Sequence, residues 1–185
     1  MLTRRHCIGR LVTVAATLAA PGIVRAQASG LVGVNRLWVI RAWDGEQLDA
    51  PIRLRSQEGT RNAWMLWSYL WRDVKDDNQA VWIDMALLDR LSAAQIAASA
   101  QRGEETPIIM NSGYRTVERN RAIEGAAPNS LHCVGKACDF NFRGLTPRQT
   151  ADLLLMDARI SAGGLGRYTD FTHLDTGPRR RWDRT

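Results

Sequence analysis

Ser130-Leu131-His132-Cys133-Val134-Gly135-Lys136-Ala137-Cys138-Asp139 is the stretch on which the reading of this chain turns. It has the form S-x-H-x-x-G-x-A-x-D, and His132 and Asp139 both carry atoms that can ligate a metal. Gly135 permits the tight backbone path by which a loop residue and a strand residue converge on one ion. From Ala137 to Phe142 the residues alternate with the period of a strand, putting Asp139 and Asn141 on one face and Phe140 and Phe142 on the other. A carboxylate in such a segment is costly to bury unless it is paired or bound to a cation. Asp170-Phe171-Thr172-His173-Leu174-Asp175 supplies a second histidine, His173, with an acid on each side. Any one of these histidines could be a hydrogen-bonded core residue. Together, His132, Asp139 and His173 make three protein ligands with a fourth position left for water, the pattern of catalytic zinc.

The 185 residues are the size of one domain, and 45% hydrophobic content is enough to build a core. The formal net charge is +6, but Arg4, Arg5, Arg10 and Arg25 fall in the first 28 residues, which hold no acid. The remainder therefore carries 6 − 4 = +2. That near-neutral balance speaks against a nucleic-acid binder. The N-terminus reads as an export signal: paired arginines Arg4-Arg5, a short apolar run from Leu11 to Ala20, and the small-x-small site Ala26-Gln27-Ala28. The arginine pair points to the twin-arginine export machinery, with cleavage after Ala28 and a periplasmic or otherwise exported product. The apolar run is shorter than the ~20 residues of a spanning helix. Cys7 leaves with the signal. Cys133 and Cys138 remain, and whether they bridge is left open, because that depends on the approach of their Cα atoms.

Residues 29–35 read as a Gly- and Ser-containing linker. Arg36 to Ala42 and Gln47 to Leu54 read as a hairpin about Trp43-Asp44-Gly45, placed as a cover on the domain, with Pro51 marking an edge or irregular strand. A helix is expected from Thr60 to Val74, its Trp64, Trp67 and Trp71 stripe facing the core in preference to a glycan. A second is expected from Ala86 to Ala100, ending near Gly103. Pro107 to Ser112 reads as a strand, Thr116 as the cap of a short helix to Glu124, and 125–129 as a small-residue loop. Thr146-Pro147 opens a helix to about Arg159. Gly163 to Gly166 reads as a flexible turn, Phe171 to Asp175 as the last strand, and Arg179 to Arg181 as a solvated basic tail or an attractor of anionic polymer.

The motif at Ser130–Asp139 is preceded by Ser112-Gly113-Tyr114-Arg115. It is followed by D-x-x-H-x-D at Asp170–Asp175 and by H-x-D-T-G-x-x-R-x-W from His173 to Trp182. In these features the chain resembles the zinc D-Ala-D-Ala carboxypeptidases, and within them the exported branch that includes murein endopeptidases. The resemblance runs from about Leu37 to Trp182. It implies a hedgehog/DD-peptidase fold, α+β with a small antiparallel sheet and flanking helices, over residues 36–185. It implies zinc on His132, Asp139 and His173. The family's general base, a glutamate three residues before the last histidine, is Asp170 here, one methylene shorter. Asp175 is the competing base, or the group that orients a ligand histidine. Arg115 matches an arginine that steadies the oxyanion or holds a substrate carboxylate, and Ser130 and Tyr114 lie on the substrate side. The function implied is a peptidoglycan peptidase, with the endopeptidase favoured over a D,D- or L,D-carboxypeptidase; separately, the chain is expected to act as a monomer. The reading from another class is a zinc-containing wall-binding module without catalysis.

Overall fold

The computed structural model describes residues 24–25 and 35–185. The expected signal and linker otherwise lie outside the described residues. The strands are β1 (Val24–Arg25), β2 (Arg36–Arg41), β3 (Gln47–Pro51), β4 (Ile108–Ser112), β5 (Ala137–Phe142), β6 (Gly164–Tyr168), β7 (Thr172–Asp175) and β8 (Arg180–Arg184). The helices are α1 (Gln57–Leu70), α2 (Met85–Arg102), α3 (Val117–Arg121) and α4 (Pro147–Leu155). Among the described residues no helix is long and apolar enough to cross a membrane.

All eight strands join one sheet in the order β1-β3-β2-β4-β5-β7-β6-β8. The class is α+β, but the sheet is mixed and not the small antiparallel one expected. Three neighbouring pairs run parallel, β1 with β3, β2 with β4 and β6 with β8. The hairpin of β2 and β3 is no cover. β2 docks parallel to β4 in the middle of the sheet, and Leu37, Val39, Leu48 and Ala50 are buried in the core.

The two faces of the sheet do different work. Cys138, Phe140 and Phe142 of β5, Leu174 of β7 and Leu165 of β6 pack with Trp67, Trp71, Leu87, Leu88, Leu91 and Leu154 from the helices into one apolar core. Trp67 and Trp71 are fully buried, the core role expected of them, and an apolar side chain of that kind contributes roughly 1.5–3 kcal/mol. The opposite face of the same strands carries Asp139 opposite His173 and Gly166 opposite Trp182.

Helix boundaries follow the capping chemistry. α1 starts earlier than expected because the Ser56 side chain accepts from the Gly59 amide at 3.0 Å, while Thr60 Oγ1 is turned back onto Leu54. α2 is capped by Asp84 and stops at Gly103, whose φ of +69° is the left-handed C-cap conformation. α4 begins in a capping box between Thr146 and Gln149 and ends at Leu155, four residues before the expected end. Gly163 to Gly166 is not a turn but the entry and first half of β6, and the expected basic tail is strand β8.

Candidate metal centre

His132 sits on a 3-10 turn, Leu131–Val134, opened by Ser130 and closed by Gly135 at φ +67°. A Cβ on Gly135 would lie 2.9 Å from the Trp82 carbonyl oxygen, and the Gly135 carbonyl accepts from the Asp84 amide at 2.9 Å. The turn is thus pressed against the segment that opens α2, and the φ and the contact both call for glycine. Asp139 and His173 are supplied by directly paired positions of β5 and β7.

The donor atoms of these three residues face one another. His173 Nδ1 lies 2.8 Å from Asp139 Oδ1, and His132 Nε2 lies 3.2 Å from the same oxygen and 3.3 Å from His173 Nδ1. The far nitrogen of each ring is already committed. His132 Nδ1 lies 2.6 Å from the Gly113 carbonyl and His173 Nε2 lies 2.9 Å from Asp175 Oδ2, so each donates its N–H outward. Two imidazole lone pairs and a carboxylate lone pair therefore meet in a buried spot with no donor among them, which is unfavourable unless a cation or a proton lies between them. Two of the separations, 3.2 and 3.3 Å, match the roughly 3.3 Å edges of a tetrahedral site with bonds of about 2.0–2.1 Å, and the third, 2.8 Å, is shorter. These three residues could hold a metal ion.

Protonation follows from the same contacts. Burial pushes the His132 imidazole below its ordinary value, only partly offset by Asp139. Burial acts the same way on His173, but hydrogen bonds to Asp139 and Asp175 outweigh it and raise that imidazole. Asp139 would be raised by burial, yet the two histidines hold it well below the usual carboxylate range. The second Asp139 oxygen takes the Arg115 guanidinium, whose Nε donates to Ser112 Oγ at 2.8 Å.

Asp175 is fully buried behind His173. Its Oδ1 accepts from the amides of Gly164 (3.0 Å) and Gly177 (2.8 Å), and its Oδ2 takes His173 and Arg180 Nη2 (2.7 Å). Both oxygens are occupied, on the side of the ring away from the lone-pair cluster. Asp170 is exposed; its carbonyl accepts from Asn141 Nδ2 at 2.7 Å, and no hydrogen bond draws its carboxylate to the trio. Ser130 serves as the N-cap of the histidine turn. Tyr114 is anchored by its amide on the Trp71 carbonyl at 2.8 Å. Cys133 and Cys138 are free thiols, Cys138 on the core face of β5 and Cys133 on the turn.

Three contributors escape a reading by residue type. The Gly113 carbonyl fixes the His132 tautomer, Arg180 braces Asp175, and Trp182 covers His173 with ring centroids 5.2 Å apart. The signal was present, since Gly113 lies in the S-G-Y-R motif and Arg180 and Trp182 in the terminal one.

Two cavities meet at this centre. One of about 550 Å³ is bordered by Ser130, His132, His173, Arg180 and Trp182. The other, about 330 Å³, is bordered by Arg41, Trp43, Asp73, Tyr114 and Asp170. Arg115, Asp139, Ile123 and Phe171 belong to both, so open space extends to either side of Arg115.

The peptidase M15 profile matches residues 72–175, which contain His132, Asp139 and His173. The chain belongs to the peptidase M15 family. It is also 32% identical over 121 residues to the Escherichia coli protein named peptidoglycan L,D-endopeptidase MepK, covering 62% of each chain. It is 34% identical over 125 residues to the Haemophilus influenzae protein named probable peptidoglycan L,D-endopeptidase MepK, covering 62% of this chain and 61% of that one. The chain thus spans about three fifths of the length of these relatives.

Proposed function

We propose that this chain is an exported zinc peptidase that hydrolyses peptide bonds of peptidoglycan, as an endopeptidase acting on crosslinks. The observation that carries the proposal is the convergence of His132 Nε2, Asp139 Oδ1 and His173 Nδ1 on one point, with cavity space on both sides of Arg115. The substrate class comes from the names of the relatives, and export rests on the Arg4-Arg5 signal. Monomeric action remains part of the reading.

His132, Asp139 and His173 would hold the ion. Zinc in such a site supplies Lewis-acid polarisation of a carbonyl and acidification of water. The remaining work falls to side chains. Asp170 is the proposed general base: its carboxylate is unengaged and borders the cavity shared with Arg115 and Asp139. It takes a proton from the attacking water and returns it to the amine that leaves. Asp175 is assigned the orienting role, because all its lone pairs are used in holding His173 and the β6–β8 edge. Arg115 spends Nε and Nη2 on Ser112 and Asp139, which leaves Nη1 to meet the developing oxyanion or a substrate carboxylate. Ser130 and Tyr114 line the two cavities and are proposed to contact substrate.

The test is digestion of purified peptidoglycan by the protein, with and without chelator, and mass spectrometry of the products, with His132→Ala as control. Metal-dependent release of uncrosslinked stems is expected. Release of a terminal residue alone would favour the carboxypeptidase. Intact wall with zinc bound would favour the non-catalytic module.

A further inference from the structure

A separate cavity of about 550 Å³ lies between the start of α1 and the segment leading into α2, bordered by Leu54, Arg55, Gln57, Arg61, Trp64 and Trp82. It shares no residue with the two cavities at the metal centre. Trp64 and Trp82 face each other with ring centroids 4.5 Å apart and planes inclined by 43°. Trp64 is pinned by donation from Nε1 to the Ile83 carbonyl at 2.7 Å, whereas Trp82 remains 49% exposed. Beyond Trp82 the surface continues through exposed Met65 and Tyr69 around a smaller hollow of about 210 Å³. Trp82 thus forms a ridge between two hollows. Exposed aromatic and apolar side chains grouped in this way offer a surface suited to binding.

The charge pattern narrows the ligand. The guanidinium groups of Arg55 and Arg61 make no hydrogen bond or ion pair among the described residues, and no Asp or Glu borders the cavity. A pyranose ring presents an apolar C–H face that fits an indole and a polar rim that suits side-chain amides, while unpaired guanidinium groups suit carboxylates. We propose that this face binds an anionic glycan strand, with sugar rings on Trp82 and Trp64 and sugar carboxylates on Arg55 and Arg61. A nucleic acid would share the aromatic and cationic chemistry, but the chain beyond residue 28 carries only 6 − 4 = +2.

The site is mechanically joined to the metal centre. The Trp82 carbonyl packs on Gly135, and the Asp84 amide donates to the Gly135 carbonyl, at the end of the turn that bears His132. A strand held on Trp82 by sugars whose carboxyl groups are free is held at a fixed offset from that turn, so that peptides on other sugars further along the same strand are presented near the cleft. This last consequence rests on the proposed wall peptidase; the binding itself does not.

The test is co-sedimentation and tryptophan fluorescence titration of the protein with peptide-free wall glycan strands, whose carboxyl groups are free, beside neutral chitin oligosaccharides. Trp82→Ala is expected to weaken strand binding about tenfold. Arg55→Ala with Arg61→Ala is expected to weaken it about threefold at low salt, with the difference shrinking as salt is added. Zinc affinity and hydrolysis of a soluble, sugar-free crosslinked peptide should be unchanged in both variants, which separates a lost glycan site from a damaged fold. Three results would overturn the proposal: no binding of strands by the parent protein, undiminished binding by Trp82→Ala, or loss of self-association as the only effect of that substitution. Binding without any hydrolysis by the parent would instead sink the peptidase reading and leave this one standing.

Discussion

At the scale of single residues, the centre depends on groups that hold the ligands as much as on the ligands. Asp175 fixes His173 with Nδ1 turned inward, so Asp175→Asn should lower zinc affinity by about 10- to 100-fold, measured by competition with a chelating dye. If affinity is unchanged, the orienting role is wrong. The two histidines also predict a pH dependence of definite sign. His173 is raised above 6.5 by Asp139 and Asp175 despite its burial. Without metal, its protonated form contributes stability that is complete below the unfolded value and is lost as pH rises through the folded one. Metal requires the neutral ring, so the rise in Tm given by zinc should grow across about pH 5 to 8, with metal-free stability tending the other way. His132 is pushed down by burial and is expected to compete little for protons over that window. The grouping of His132, Asp139 and His173 was legible because histidines are scarce in this sequence and two fall in short segments that also carry acids. Gly113 and Arg180 were not, because a carbonyl's direction and the choice among three consecutive arginines are set by strand register, which residue types do not encode.

At the scale of elements, the least legible part was the edge formed by β6 and β8. Gly163, Gly164 and Gly166 look like a turn, yet Gly164 and Gly166 make room on the site face of the sheet. A Cβ on Gly164 would lie 2.3 Å from Asp175 Oδ2, and one on Gly166 would lie 2.1 Å from Trp182 Cε2. In this strand glycine marks close approach and not a bend. Gly166→Ala should therefore displace Trp182 from its place over His173 and destabilise the fold by about 1–3 kcal/mol, read from urea unfolding together with a shift in tryptophan emission. A variant of unchanged stability and emission would show that Trp182 is not held by this contact. Elements with strong local signals were easier to read. The alternation of β5, the Thr146-Pro147 start of α4 and the Gly103 stop of α2 are written in adjacent residues. Parallel pairing of β2 with β4 is not, since it joins segments nearly seventy residues apart.

At the scale of the whole molecule, the sheet separates stability from chemistry. One face is the apolar core and the other carries the lone-pair cluster, at a place where two cavities share Arg115. That shared wall bears on which bond the proposed peptidase would cut. A carboxypeptidase must recognise the terminal carboxylate next to the scissile bond, and a charged hydrogen bond of that kind is worth roughly 1.5–3 kcal/mol, about ten- to hundredfold in rate. An endopeptidase with substrate lying through both cavities has no such requirement. Amidating the free C-terminus of a soluble crosslinked stem peptide should thus leave cleavage within about threefold, whereas a loss of tenfold or more would assign one cavity to the terminal carboxylate. Arg115→Lys sharpens the comparison. If Nη1 meets the oxyanion, the substitution lowers kcat for the free and amidated peptides alike, because a lysine cannot keep Ser112 and Asp139 and still offer a donor to the substrate. If Arg115 instead holds a terminal carboxylate, the free peptide alone suffers, and it does so through KM.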